Sequence, residues 1–496
     1  MDAFKQFFDG VGIFFVLYMI GYASFLFLAV TVGTSELYKM KRRNQLKNEL
    51  LGEYYVPVTI VVPAYNEEVT IEASIGSLLA LDYKLYEIVV VDDGSSDDTS
   101  KVVRDAFHMQ QISRPIQRKI PCQPEEVIYE SYEWKVPITL IRKKNGGKAD
   151  ALNMGINAAK YPYFICMDAD SVLQYDSLEK IVRPVLEDGS VVAVGGVVRP
   201  CNGTEIHDGH VVSYRMPDQI IPCMQVLEYD RSFLAARILF DRFNGSIIIS
   251  GAFGLFHKNT VVEAGGYDPG TIGEDMELVV KLHVYCRENS IPYRIRYATD
   301  AVCWTQAPEK LGDLCKQRRR WHIGLFQSMM RHRRIFLNPK YGLVGLISYL
   351  YFLVYELLSP YIEVFGILTI ALAFAVDLIN VPFMILFFVI YVVYSAILSL
   401  TAFFCPHLYG GLEAVLFRCA QSHRALYGGG FLSASGAGVG AGNGSGGIPP
   451  SETRLGQDRT EKDTVQIKGR FSYEIRSTEK KVFGATKKPV FMNISP

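Results

Sequence analysis

The sequence predicts a mixed α/β domain on a mainly parallel sheet, flanked on both sides by apolar segments long enough to cross a bilayer. Short apolar runs at 58–62, 87–91, 138–141 and 163–167 are each followed by polar or helical sequence, the alternation of a parallel sheet with crossover helices. Strongly apolar stretches stand before and after this region, at 11–32 and 341–404. Acidic and glycine-bearing motifs fall where the runs end, and open α/β sheets bind ligands at the carboxyl ends of their strands. At 496 residues the chain can hold one large domain, membrane segments and a tail.

The stretch 11–32 carries no charge and is long enough to span. No basic leader with a small-residue cleavage site precedes it, so it reads as an anchor rather than a removed signal. Lys39, Lys41, Arg42, Arg43 and Lys47 follow it, whereas only Lys5 precedes it. The positive-inside bias places the N-terminus outside and the α/β domain in the cytoplasm. Asn66-Glu67-Glu68 is expected to open a helix running toward Leu81, its acids at the positive end. The stretch 109–135, with Pro115, Pro121 and Pro124, reads as a surface excursion.

In the second apolar block, Asp377, Asn380 and Pro382 leave spans near 352–376 and 381–404. Glu356, Pro360 and Glu363 interrupt the first of them. These acids face either a protected interior or the headgroup level, with 341–351 along the interface; both readings stay open. The linker after Ala375 lacks Lys and Arg, which suits the outer face. Gly, Ser and Ala dominate 428–447, a flexible composition, and 451–496 is polar without a period, so disorder is expected there. The resulting partition is an anchor 1–34, a basic linker 35–54, the α/β domain 55–310, an interfacial segment 311–340, a membrane block 341–405, a Gly-rich linker 406–450 and a tail 451–496.

Net charge is zero, so no bulk field argues for nucleic acid or a polyanionic partner. The 9 cysteines include no CxxC pair, which argues against structural zinc. Cys166 lies in an apolar run and reads as core. Scattered thiols suit a reducing cytoplasm.

Five motifs follow one another in order. They are Val61-Val62-Pro63-Ala64-Tyr65-Asn66-Glu67-Glu68, Val91-Asp92-Asp93-Gly94-Ser95, Asp168-Ala169-Asp170, Gly273-Glu274-Asp275 and Gln317-Arg318-Arg319-Arg320-Trp321. Asp168 and Asp170, one residue apart after a buried strand, offer hard oxygen ligands to a divalent cation and leave positions open for a diphosphate. Taken singly each motif has a plainer reading. A DxD is usually a solvated turn, the first two motifs are ordinary strand-to-helix turns, and Gly273-Glu274-Asp275 is a helix start. The basic stretch around Trp321 also fits a helix lying on anionic lipid.

In this order, beside membrane spans, the five resemble the membrane-embedded family 2 glycosyltransferases: the cellulose, chitin, hyaluronan and poly-N-acetylglucosamine synthases. The resemblance implies a GT-A domain, the nucleotide-diphospho-sugar transferase fold, and assigns the site residues. Ala64, Tyr65, Glu67, Asp92 and Asp93 form the nucleotide cleft, where an acid can accept the uracil imide hydrogen. Asn145-Gly146-Gly147-Lys148 matches a loop-to-helix element whose lysine approaches the diphosphate. Asp170 binds Mg²⁺ or Mn²⁺, and Asp168 assists through the metal, its water or the ribose. Asp275 is the general base with Glu274 beside it, and Gly273 stands where the family commonly has Thr. Trp321 meets the acceptor, Arg320 the pyrophosphate, and Gln317 positions them. Gly251 and Phe253, in Ser250-Gly251-Ala252-Phe253-Gly254, present the acceptor terminus. Gln225 and Glu228-Tyr229 stand on an expected helix without an assigned role.

The implied reaction is single displacement with inversion by a hexosyltransferase. Gly273-Glu274-Asp275-Met276-Glu277 and the few spans look closer to the poly-N-acetylglucosamine branch, which implies UDP-N-acetylglucosamine as donor. The expected product is a β-linked polysaccharide, extended processively and exported by a multi-pass protein of the cell membrane. The alternative is a non-processive transferase with a lipid acceptor, a polyprenyl phosphate or a glycolipid. A third reading is an inactive membrane scaffold. The polar tail departs from the family, whose members often have another hydrophobic or structured C-terminal segment. Expected partners are the UDP-sugar, the acceptor and the bilayer, with no nucleic acid; any secretion partner is left open.

Overall fold

The computed structural model describes residues 2–47, 55–376, 378, 381–409, 465–467 and 471–473. The chain begins with α1 (Asp2–Lys47), whose 35-residue stretch Gln6–Met40 is long and apolar enough to cross a membrane. Then come β1 (Val58–Ala64), α2 (Ile71–Leu79), β2 (Tyr86–Asp92), α3 (Thr99–Ala106), β3 (Gln110–Ile112), β4 (Glu125–Ser131), β5 (Ile138–Lys143), α4 (Lys148–Ala158) and β6 (Tyr163–Cys166). The four apolar runs read from sequence are β1, β2, β5 and β6. They lie side by side in parallel register because helices cover both of their faces, which favours unbroken Val and Ile runs.

The second half holds β7 (Val172–Leu173), α5 (Ser177–Glu187), β8 (Val191–Pro200), β9 (Thr204–His207), β10 (His210–Tyr214), α6 (Ile220–Arg231), α7 (Arg237–Arg242), β11 (Gly254–His257), α8 (Lys258–Glu263), α9 (Glu274–Glu288) and β12 (Arg294–Thr305). One ten-stranded sheet runs β3-β4-β5-β2-β1-β6-β11-β8-β12-β7. β8 and β12 point the same way as β1 and β6, while β11 runs against its neighbours β6 and β8. The carboxyl ends of β1, β2, β6, β8 and β12 therefore share one edge with the amino end of β11. That edge carries the motifs.

Three expectations need correction. The stretch 109–135 is not only a surface excursion, since it supplies β3 and β4, an antiparallel extension of the sheet beyond β5. The helix expected from Asn66 starts at Ile71, because Asn66 takes the left-handed conformation (φ 57°) and the residues after it bond elsewhere. The span expected near 352–376 is broken: α11 (Val344–Leu357) and α12 (Ser359–Ala375) meet at 48°. Pro360, at the first turn of α12, has no N–H to continue the ladder from α11. Beyond the break, α13 (Val381–Tyr409) follows. In the tail, β13 (Val465–Ile467) and β14 (Phe471–Tyr473) join β9 and β10 in a small second sheet; the rest of the tail and all of the Gly-rich linker beyond 409 lie outside the described residues.

The apolar helices pack onto the domain at two joints. On α1, Leu26, Ala29 and Val30 cluster with Ala235 of the π turn (Ser232–Ala236) that links α6 to α7. A β-carbon on Gly33 would fall 2.7 Å from the Leu234 carbonyl oxygen, so only glycine admits this approach. At the other joint Tyr341, Val344, Tyr349 and Leu357 are buried with Met276, Val280 and Val284 of α9. The segment read as lying along the interface thus anchors α9 to the helices beyond it.

Next to this joint, His283 of α9 is buried; its Nε2 donates to the Ser246 carbonyl and its Nδ1 accepts from the Tyr293 hydroxyl, at 2.8 and 2.7 Å. Burial pushes its pKa down to about 4. Unfolded, the ring takes a proton near its ordinary value of about 6.5, so the unfolded state binds more protons between the two values. Stability is expected to fall by up to about 3 kcal/mol as pH drops through that window. Melting curves from about pH 7 to about pH 4 check this, and His283→Asn should flatten the dependence.

Candidate active site

The loops after β1 and β2 are sewn into one unit. Asn66 N–H donates to Ser95 Oγ at 3.0 Å, Ser96 N–H donates to Asn66 Oδ1 at 2.9 Å, and Glu67 N–H donates to Thr99 Oγ1 at 2.9 Å. These bonds hold the first motif away from helical geometry. Ala64 is buried and Tyr65 is exposed at the lip. Asp92 caps its own turn, accepting from Ser95 N–H at 2.8 Å and from the Ser100 hydroxyl.

Asp93 behaves differently from its expected part. Its carboxylate accepts from Gly146 N–H at 3.0 Å and Gly147 N–H at 2.7 Å, and it pairs with Lys143. Lys143 is wholly buried and also meets Asp150 at 2.8 Å. Rather than facing a base, this carboxylate ties the second motif to the Gly-rich loop. Gly94 (φ 70°) makes room, since a β-carbon there would lie 2.9 Å from Asn145 N. Sequence reasoning missed Lys143. A charged residue ending an apolar strand between two acidic motifs was the available signal.

That loop delivers Lys148, the first residue of α4, into an acidic cluster. Its Nζ lies 2.7 Å from Asp168 Oδ1 and 3.2 Å from Glu274 Oε1. Burial opposes the ammonium charge, yet Asp168 and Glu274 outweigh it and hold Lys148 above its usual range. Burial pushes Glu274 above the ordinary carboxylate range; Lys148 opposes this and Asp275 adds to it. Asp275 sits in the first turn of α9, its Oδ2 accepting from Gly251 N–H at 3.1 Å and its Oδ1 from Met276 N–H at 2.8 Å. A β-carbon on Gly251 would lie 3.5 Å from both Lys148 Nζ and Asp275 Cβ. Lys148, the acid pair and the Gly251 loop meet around one point.

Asp170 adjoins this cluster. Its burial, then Asp168 and Glu67, push its carboxyl above the ordinary range, and Lys148 pulls the other way. Carboxylates crowded in this way fit a divalent cation, which would relieve their repulsion. Among the described residues no three His, Cys, Asp or Glu side chains converge as a metal-holding group. The protein would therefore offer a carboxylate pair and leave other positions to a diphosphate and water, as hard cations accept.

α10 (Leu311–Arg331) carries Gln317, Arg320 and Trp321. It packs on the loop before the acid pair: Ile272 N–H donates to Gln327 Oε1 at 2.9 Å, and Arg331 pairs with Asp268. A β-carbon on Gly324 would fall 2.7 Å from Gly273 Cα, and one on Gly273 would fall 2.8 Å from Gly324 Cα. The glycine at the first position of the acid motif is thus matched by a glycine on α10. Trp321 lies one turn before Gly324, on a neighbouring part of the helix surface. Gly324→Ala is expected to push α10 off Gly273, at the start of the acid motif, and, if the chain has the activity its motifs imply by resemblance, to lower transfer about 10²-fold while donor affinity holds, because small misplacements are costly. Initial rates beside nucleotide titrations check this.

Of the remaining expected residues, Arg320 is exposed and Gln317 is half-buried. Phe253 is fully buried, its ring over Gly196 where a β-carbon would clash at 2.2 Å. It belongs to the core, not to an acceptor surface. Gly251 is the member of that loop at the site. Glu228 on α6 and Arg318 on α10 were not assigned a role, although Arg318 stands one helical turn before Trp321.

Residues 59–120 match the family model described as glycosyl transferase family 2, and residues 163–405 match that described as glycosyl transferase family group 2. The chain is 32% identical over 275 residues to a poly-beta-1,6-N-acetyl-D-glucosamine synthase of Staphylococcus aureus strain COL, covering 55% of this chain and 56% of that one. It is 29% identical, over the same length and shares, to the synthase of the same name from Staphylococcus epidermidis. The chain thus spans just over half the length of these curated relatives. Among solved structures, the Pyrobaculum calidifontis mannosyltransferase PcManGT, in complex with GDP-Man and Mn²⁺, overlaps 79% of this chain and 99% of its own, with 20% identity and a TM-score of 0.47. The first two motifs fall inside one matched segment, and the DxD, the acid pair and the QxxRW helix fall inside the other, on a sheet that brings their ends to one edge. The chain belongs to the family 2 glycosyltransferases.

Proposed function

We propose that this enzyme transfers N-acetylglucosamine from UDP-N-acetylglucosamine to a growing β-linked polysaccharide, with inversion, adding successive sugars and passing the product through its membrane helices. The observation that carries the reading is the meeting of Lys148, Asp168, Glu274, Asp275 and Gly251 at the carboxyl edge of the sheet, with α10 packed on the loop before the acids. The donor sugar rests on the names of the staphylococcal relatives. The domain 55–310 would be catalytic and cytoplasmic, with 311–340 at the interface and the helices beyond it in the bilayer.

The uridine lies across the loops after β1 and β2, with Tyr65 and Glu67 at its rim. Asp170, with Asp168, would hold Mg²⁺ or Mn²⁺, which when bound supplies Lewis-acid neutralisation of the leaving diphosphate. Lys148 exchanges its carboxylate contacts for phosphate oxygens, with Arg320 approaching from α10. Asp275, oriented by Gly251 and Met276 N–H groups, takes the proton of the acceptor hydroxyl as its oxygen attacks the anomeric carbon. No second carboxylate acts as nucleophile, so one displacement inverts the centre. Trp321 offers the acceptor sugar an apolar face.

Membranes holding the protein, incubated with radiolabelled UDP-sugars and Mg²⁺ or Mn²⁺, are expected to make a high-mass, water-phase product from UDP-N-acetylglucosamine. EDTA should stop the incorporation. A label that moves into organic solvent, or acceptors extended by one sugar, would replace the polymer reading with transfer to a lipid. Turnover absent in the wild type would leave the scaffold reading.

A further inference from the structure

α6 places Glu228 against the QxxRW helix. Arg318 Nη1 and Nη2 donate to the two carboxylate oxygens of Glu228, a paired geometry that fixes the guanidinium plane. The same guanidinium lies 4.7 Å from the centre of the Trp321 ring. Tyr229, the next residue on α6, has its ring 6.5 Å from that indole, inclined by 50°. Trp321 is 46% exposed, so part of its ring is open to a ligand. Arg318 and Trp321 are three apart on α10, the spacing at which neighbouring helical side chains meet.

An indole that projects from a helix surface can turn about two bonds, and a turned indole cannot offer a sugar a fixed face. The pair beside it restrains that rotation. Both members are partly open, with 35% of the Arg318 side chain and 40% of the Glu228 side chain exposed. Partly solvated ion pairs add little to folding stability, so stability alone does not account for this arrangement.

We propose that Glu228 and Arg318 are positioning residues for the acceptor: the carboxylate sets the guanidinium, and the guanidinium covers part of the indole and holds the rest toward the acceptor sugar. This rests on the reading that Trp321 contacts the acceptor. Arginine is required because its planar fork both pairs with the carboxylate and stacks on the ring; lysine can do only one of these at a time.

The test uses the full chain in lipid nanodiscs, with UDP-N-acetylglucosamine as donor and a β-1,6-linked N-acetylglucosamine tetramer as acceptor. Glu228→Gln and Arg318→Lys are each expected to raise the acceptor KM about tenfold and to leave the donor KM unchanged. The double variant should be no worse than either single one, because both changes break the same contact. A merely structural role would instead lower kcat without separating the two KM values. Trp321→Ala is the reference. If it raises the acceptor KM while Glu228→Gln and Arg318→Lys do not, the positioning proposal is wrong and the acceptor reading stands. If Trp321→Ala also leaves the acceptor KM unchanged, the acceptor reading fails first. Melting curves accompany each variant; should Glu228→Gln fail to fold, Glu228→Asp keeps the charge, shortens its reach and should show the same split.

Discussion

Asp275→Asn is expected to abolish measurable transfer, a loss of at least about 10²–10⁴-fold, with UDP affinity close to that of the wild type. The amide keeps the size of the carboxylate and can still accept the Gly251 N–H that orients it at 3.1 Å. It cannot take a proton from the acceptor hydroxyl. Lys148 keeps its contacts to Asp168 and Glu274 in this variant, so the diphosphate side of the site stays intact. Asp170→Ala should behave otherwise on the proposed roles, because loss of the proposed cation ligand would weaken metal-dependent nucleotide binding as well as turnover. Calorimetric titration of UDP with Mn²⁺, beside initial rates, separates the two. Equal loss of UDP binding in both variants would contradict the roles given to them.

Lys143→Met should destabilise the domain by about 3–5 kcal/mol, the usual cost of breaking a buried ion pair from one side. Lys143 is wholly buried between Asp93 and Asp150, and methionine would leave both carboxylates facing an apolar side chain. The loss should reach the site, because Asp93 is also what holds Gly146 and Gly147, the turn that presents Lys148. Denaturant melts of the wild type and variant read the stability, and UDP affinity reads the loop. Adding Asp150→Asn to Lys143→Met removes one of the stranded charges and should restore part of the stability. A variant as stable as the wild type would mean that water or a shifted loop solvates the pair.

Local patterning made much of this architecture legible. β1, β2, β5 and β6 were visible as apolar runs because strands buried on both faces need no polar alternation, and α9 was visible as acids followed by an apolar helical face. Asp92, Asp93, Asp168 and Asp170 were legible for the same reason: they sit where β2 and β6 end, and a parallel sheet brings such ends to one edge. β3 and β4 escaped notice because a three-residue edge strand of Gln-Gln-Ile and a partly exposed neighbour opening on Glu-Glu carry little hydrophobic signal.

What the chain order alone determined is therefore four parallel strands, β1, β2, β5 and β6, the edge at which they end and the residue types placed along it. Tertiary contacts decided how those residues are aimed. Asn66 is held out of a helix by Ser95 and Ser96, Asp93 is turned toward Lys143 and the Gly-rich loop, Phe253 is drawn into the core, and α10 is seated on α9 through Gly273 and Gly324. Each of these depends on a partner about thirty or more residues away in the chain. Hydrophobic periodicity reports only which face of an element is buried; where a hydrogen bond or a bare Cα finds its counterpart is settled when distant segments pack together.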